Sequence, residues 1–168
     1  MKLFIKIRYD GTRYAGYQVQ NNALTIQEVL NNALLDLFGF DCDITGCSRT
    51  DAGVHAHCFC ATVQKHGEAS LQSNIPCEKI PLALNFRLPE DIAVYYAKWV
   101  DDDFHARYSV KSKTYEYHIL NTPIKNPFYV NRSYHFPKVL SDSDIVRMQA
   151  AADNLCGRYD FTSPIRLR

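Results

Sequence analysis

Residues 26–38 constrain the fold of this chain more than any other segment. Ile26, Val29, Leu30, Ala33, Leu34, Leu37 and Phe38 recur at helical spacing, so one face of the helix is apolar and must be covered. The ends are marked in the sequence as well. Thr25-Ile26-Gln27-Glu28 is a capping-box pattern, in which the Thr hydroxyl bonds the third helical N–H and Glu28 reaches back. Gly39 supplies the stop. The segment before it has a different period. Leu3, Ile5, Ile7 and Tyr9 alternate with Lys6 and Arg8, which predicts a strand over 2–9 with one buried face, ended by the turn residues Asp10-Gly11-Thr12. A one-faced strand and a one-faced helix next to each other call for a helix laid on a sheet.

The rest of the chain continues this pattern. Cys42–Gly46 and His57–Lys65 read as strands, and Ile92–Val100 as a third, rich in Val, Tyr and Trp. Residues 76–86 read as a short helix presenting Ile80, Leu82 and Leu84. Lys113–Leu120 alternates again, and Pro123 and Pro127 break the chain after it. A second amphipathic helix is predicted over 142–156, with Ser141 as cap, Gly157 as stop and a core face of Ile145, Met148, Ala152 and Leu155. Strands and helices alternate without a glycine-rich phosphate loop, which favours an α+β fold over a doubly wound nucleotide-binding sheet. The acidic run Asp101-Asp102-Asp103 marks a junction. It divides an N-terminal αβ domain, residues 1–103, from a partial second one, 104–168.

Composition narrows the functional classes only a little. No apolar run reaches the roughly 18 residues of a membrane span, and the N-terminus enters an alternating pattern rather than a signal peptide's apolar block. The formal net charge of +1 neither requires nor excludes nucleic acid. Basic residues gather at Arg107–Lys113 and again at Arg166 and Arg168. Six cysteines without a secretory signal read as reduced thiols, which is expected of a cytoplasmic protein. Cys58 and Cys60, one residue apart, lack zinc-site spacing and read as a pair on the core face of a strand.

One loop carries the candidate chemistry. Asp51 lies between two expected strands, two residues after Arg49, in the segment Gly46–Ala56. A guanidinium so close can hold the carboxylate ionised, which suits nucleophilic attack or stabilisation of positive charge at a sugar carbon. Taken alone, Arg-x-Asp reads more readily as a surface ion pair. His55 and His57 stand nearby and open a second reading, a metal hydrolase built on Asp51, His55 and His57, although no other cluster completes a ligand set. Tyr14, Tyr17, Phe104, Tyr108, Tyr115 and Tyr117 are the aromatic candidates for stacking on an exposed base.

Taken together, these segments resemble the TruA family of tRNA pseudouridine synthases. The resemblance rests on Tyr9-Asp10-Gly11-Thr12, Gly16-Tyr17-Gln18, Thr25-Ile26-Gln27 and, above all, Arg49-Thr50-Asp51-Ala52-Gly53-Val54-His55-Ala56. Asn85-Phe86-Arg87-Leu88-Pro89, Phe104–Ser109, Lys111–Tyr117 and Asp160-Phe161-Thr162-Ser163 extend it over almost the whole chain. It implies a pseudouridine synthase fold: an antiparallel or mixed sheet flanked by helices, in two αβ-sandwich halves, the second incomplete here. It further implies isomerisation of uridine to pseudouridine at tRNA positions 38, 39 and 40, in a homodimer that needs no metal and no organic cofactor. Asp51 matches the family's nucleophile, Arg49 its basic partner, and Tyr115 the substrate-binding tyrosine. Family members usually continue beyond the Asp-Phe-Thr-Ser block, so a C-terminally shortened chain is expected. With it comes an alternative: an inactive RNA-binding fragment of the same family.

Overall fold

The computed structural model describes residues 1–159; the block Asp160–Ser163 and the basic residues Arg166 and Arg168 lie outside the described residues. The described residues form two compact units, Met1–Thr114 and a second that begins at Tyr115.

The first unit runs β1 (Lys2–Tyr9), α1 (Ile26–Phe38), β2 (Cys42–Gly46), β3 (Ala56–Lys65), α2 (Ile80–Asn85) and β4 (Ile92–Val100), with 3-10 turns at Gly11–Arg13 and Cys77–Lys79. Its four strands lie in the order β2-β3-β1-β4, and every neighbouring pair is antiparallel. Two split β-α-β units interleave: β3 sits between β1 and β2, and β1 between β3 and β4. The fold is α+β with an antiparallel sheet, as the pattern of elements required.

Periodicity explains the burial. Leu3, Ile5, Ile7 and Tyr9 turn inward from β1, with Phe59, Ala61 and Val63 from β3 and Ile92 and Val94 from β4. Ile26, Leu30, Ala33 and Leu34 of α1 and Ile80 and Leu84 of α2 join the same core. The Thr25 half of the expected cap forms: its hydroxyl accepts from the Glu28 amide at 3.4 Å. Gly39 closes α1 in the left-handed region at φ 76°.

Two irregularities sit at one end of this sheet. The β1–β3 register shifts between Ile7 and Tyr9, and the β1–β4 register shifts between Lys6, opposite Tyr96, and Ile7, opposite Val94. Each is a β-bulge, which re-aims side chains locally.

The second unit holds two short parallel strands, β5 (Ile119–Leu120) and β6 (Tyr134–His135), and α3 (Asp142–Asp153). Asn121 ties its loops together, donating to the carbonyls of Phe136 and Lys138 and accepting from the Leu140 amide. A full capping box opens α3: Ser141 accepts from the Asp144 amide, and Asp144 accepts from the Ser141 amide.

Four sequence expectations are corrected. Lys113–Leu120 alternates, yet only Ile119–Leu120 is strand, because alternation sets the two faces of a strand but does not supply a pairing edge. Cys58 is exposed and Cys60 only half-buried at the margin of the core, since Phe59 takes the inward position. Leu82 is exposed, because α2 turns only Ile80 and Leu84 inward. The core face expected for α3 is not buried: Ile145, Met148 and Leu155 are all exposed. Among the described residues, no helix is long and apolar enough to cross a membrane.

These burial differences set mutational costs. Leu34→Ala is expected to destabilise the first unit by about 2–5 kcal/mol through cavity formation. Leu82→Ala, at a position 72% exposed, should stay within about 0.5 kcal/mol. Urea denaturation of the two variants checks the contrast.

Candidate active site

The loop carrying Asp51 spans Cys47–His55, between the end of β2 and the start of β3. It is short of regular structure, so its shape has to come from contacts outside itself. The segment that leaves β1, residues 10–17, supplies them. The Thr50 carbonyl accepts from the Tyr17 amide at 3.0 Å, and the Gly53 amide donates to the Tyr14 carbonyl at 3.2 Å. The Cys47 amide donates to the Cys60 carbonyl at 2.8 Å and anchors the loop's first residue on β3. Within the loop, the Val54 amide donates to the Asp51 carbonyl at 3.2 Å, with Gly53 at φ 78°. Asp51 therefore stands at the first position of a tight turn whose third residue is in the left-handed region.

The two backbones touch so closely that side chains are excluded. A Cβ on Gly11 would lie 2.1 Å from the Val54 carbonyl oxygen, and one on Gly16 would lie 2.6 Å from that of Thr50. Gly16 also has φ 91°. In the sequence Gly11 reads as a turn residue and Gly16 as part of the family resemblance; that both face the loop emerges only in the fold.

Side chains add a second layer. The Tyr9 hydroxyl lies 2.9 Å from Thr50 Oγ1, the hydroxyl between Arg49 and Asp51 in sequence. Burial pushes the Tyr9 phenol up to about 12, partly offset by that hydrogen bond. His55 Nδ1 lies 3.1 Å from the Gly11 amide and 3.0 Å from Asp10 Oδ1. One nitrogen cannot serve both at once: it accepts from Gly11 when unprotonated and donates to Asp10 when it carries a proton. Asp91 at the start of β4 braces the turn from the other side. It accepts from the Tyr14 hydroxyl at 2.7 Å and from Arg13 Nε at 2.8 Å. Burial and the Asp91 carboxylate together push the Tyr14 phenol up to about 12. No spacing in the sequence marks Tyr9, Tyr14, Thr50 and Asp91 as a group that shapes this loop.

Tyr17 packs against Phe59, its ring tilted by 31° with the centroids 4.3 Å apart. Its hydroxyl is buried with no hydrogen-bond partner among the described residues, and burial pushes its phenol well above the usual range. Arg107 is near enough for its charge to act on that phenol.

The chemistry-bearing residues themselves are on the surface. Asp51 and Arg49 are both exposed, and among the described residues no ion pair joins them. Asp51, His55 and His57 do not converge with one another as a metal-holding group among the described residues; His55 is engaged with Asp10 and Gly11 instead. Tyr115 opens the second unit and is exposed, as is Tyr117.

Three substitutions probe this clamp. Gly11→Ala must displace the Val54 carbonyl and is expected to cost several kcal/mol, about 3 or more, with large amide shifts at Gly53 and Val54. Gly53→Ala meets nothing within 4 Å and should cost only the left-handed backbone, about 1–2 kcal/mol. Tyr17→Phe removes the orphaned hydroxyl and should raise stability by about 1 kcal/mol in thermal or urea unfolding.

A sequence model of the family described as tRNA pseudouridine synthase matches residues 5–109, a span that holds the loop and its whole clamp. A protein named tRNA pseudouridine synthase A from Thermoanaerobacter sp. (strain X514) is 44% identical over 161 residues, covering 96% of this chain and 62% of the relative. Those of the same name from Ruminiclostridium cellulolyticum and Akkermansia muciniphila are each 43% identical, with 62% and 58% of their lengths covered. The chain thus spans about three fifths of the curated relatives it matches. With the matched span covering the loop and the segment that clamps it, the chain belongs to the tRNA pseudouridine synthase family.

Proposed function

We propose that this chain isomerises uridine to pseudouridine in tRNA, at positions 38, 39 and 40 of the anticodon stem-loop, with Asp51 as nucleophile. The observation that carries the reading is the clamp: an exposed carboxylate on a loop whose backbone is fixed on both sides by the 10–17 segment. A nucleophile has to be both accessible and preorganised, and Asp51 meets both needs. The reaction breaks the bond from uracil N1 to ribose C1′, turns the base and rejoins it through C5. Asp51 starts this by attacking either C1′ or the base. Arg49, two residues away and equally exposed, is its basic partner and fills the space the target base leaves when it flips out of the stem. Flipping costs a few kcal/mol, which stacking by aromatic residues offsets. Tyr115 packs on the target uracil, and its hydroxyl is the candidate relay for the C5 proton.

The same proposal covers the setting: a homodimer acting on tRNA in the cytoplasm, with residues 1–103 as the domain bearing the Asp51 loop and 104–168 as part of a second. A second reading is an RNA-binding protein of the same family without turnover.

Tritium release from tRNA labelled at uridine C5, with electrophoretic binding run in parallel, separates the two. The chain is expected to release tritium; binding without release would select the second reading. Asp51→Asn should fold and bind tRNA while losing more than about 1000-fold in rate, over 4 kcal/mol of transition-state stabilisation. A rate within about tenfold of the unchanged chain would remove Asp51 from the nucleophile role. Tyr115→Phe keeps the ring, so a slower rate identifies a proton relay and an unchanged rate leaves stacking alone.

A further inference from the structure

The face of the first unit's sheet opposite the helices has a composition unlike an ordinary solvated sheet. Lys6 and Arg8 project from β1 on this face, and Tyr95 and Tyr96 stand beside them on β4. Strict alternation would send one of two consecutive tyrosines into the core. The β4 bulge prevents that: Val94 and Ala97 keep their inward register opposite Ile7 and Ile5, and both tyrosines emerge on the open side. Each tyrosine is paired with a cation, Arg8 Cζ lying 4.2 Å from the Tyr95 ring centroid and Lys6 Nζ 5.1 Å from that of Tyr96. The rings are still 38% and 41% exposed. Phe4 continues the row, edge-on to Tyr96 and to Phe104. No strand residue on this face of β1, β3 or β4 is acidic.

Position adds to composition. Arg8 is followed by Tyr9, whose hydroxyl reaches Thr50 in the Asp51 loop. The bulges and the loop therefore share one end of the sheet. Two strand residues span about 7 Å, so Arg8 and Lys6 are spaced to meet successive phosphates of an extended strand. Aromatic rings interleaved with cations are what unpaired bases stack on, and stacking tolerates any base.

We infer that this face, centred on Arg8, Lys6, Tyr95 and Tyr96, is a stacking platform for unpaired RNA next to the target nucleotide. The inference rests on the RNA-modifying reading above and extends it. Arg8 and Lys6 neutralise phosphates, while Tyr95 and Tyr96 hold bases by their ring faces. This surface supplies affinity and register; the Asp51 loop supplies chemistry.

The test is fluorescence anisotropy with a labelled anticodon stem-loop RNA, titrated over a range of salt with the full chain. Arg8→Gln and Lys6→Gln are each expected to reduce the log–log salt slope by about 0.7–0.9. Tyr95→Ala and Tyr96→Ala should weaken binding roughly 5- to 150-fold, and the Phe variants should restore it. Lys65→Gln, at the other end of β3, is the control and should leave the slope unchanged. Circular-dichroism melts establish that each variant is folded. Affinities within twofold of wild type, with unchanged slopes, overturn the platform. Tritium release read on the same preparations keeps the two claims apart. Binding that depends on the platform, without release, removes the enzyme reading and leaves the platform standing. Release with platform variants that bind normally removes the platform and leaves the enzyme. A wild-type chain that binds no RNA removes both.

Discussion

The contact on which the site depends is between two stretches of backbone. Residues 10–17 and 50–54 approach until the Gly11 and Gly16 Cα positions have no room for a Cβ. Side-chain packing tolerates a lost or added methylene at a cost of about a kcal/mol or so. A backbone-to-backbone contact has no rotamer to adjust, so it transmits position without slack. The Thr50 carbonyl and the Gly53 amide are held on either side of Asp51, and the carboxylate inherits their placement. The loop needs no secondary structure of its own because its neighbour supplies the missing partners.

The neighbour is held in turn. Asp91 receives the Tyr14 hydroxyl and the Arg13 guanidinium, and its carbonyl accepts from the Asp10 amide at 2.9 Å. The β1-to-α1 connection is thereby fastened to the start of β4, while Tyr9, the last residue of β1, pairs with both Ala56 and Ile92. Three separate stretches of chain converge on one end of the sheet. The His55 ring joins this assembly, its Nδ1 within hydrogen-bonding distance of both the Gly11 amide and the Asp10 carboxylate. Tyr9 and Tyr14, both raised to about 12, remain neutral hydrogen-bonding groups throughout the neutral range.

Much of this architecture was legible in the sequence because periodicity reports burial. The stripe from Ile26 to Phe38 and the alternation from Leu3 to Tyr9 each specify a face, and both faces are buried as expected. What periodicity does not report is a partner. The alternation at Lys113–Leu120 and the apolar stripe of α3 have the right spacing, but pairing and cover are tertiary facts. A same-side pair such as Cys58 and Cys60 has two choices of face, and the larger Phe59 between them takes the core, leaving Cys58 exposed and Cys60 half-buried. The clamp around Asp51 left a trace in Gly11 and Gly16, but spacing alone does not say what a glycine makes room for. Asp51 and Arg49 themselves drew notice through the eight-residue motif around them; the local chemistry of Arg-x-Asp is that of many surface loops.

The same end of the sheet shows how a regular element is bent to local use. A four-stranded antiparallel sheet with helices on one face leaves the other face to solvent, and strict alternation would populate it with one β4 side chain in two. The bulge at Tyr95 breaks that count and then restores it, so Ala97 and Trp99 return to the core side while an extra aromatic is delivered outward. An unpaired residue in a ladder costs a hydrogen bond, and a tyrosine with a cation on its ring returns only part of that. The arrangement is locally less favourable than an unbroken strand, and it lies beside the loop that the whole β1-to-α1 connection is built to hold. Irregularity confined to the end of an otherwise regular sheet that carries the Asp51 loop is the pattern expected where stability is exchanged for a shaped surface.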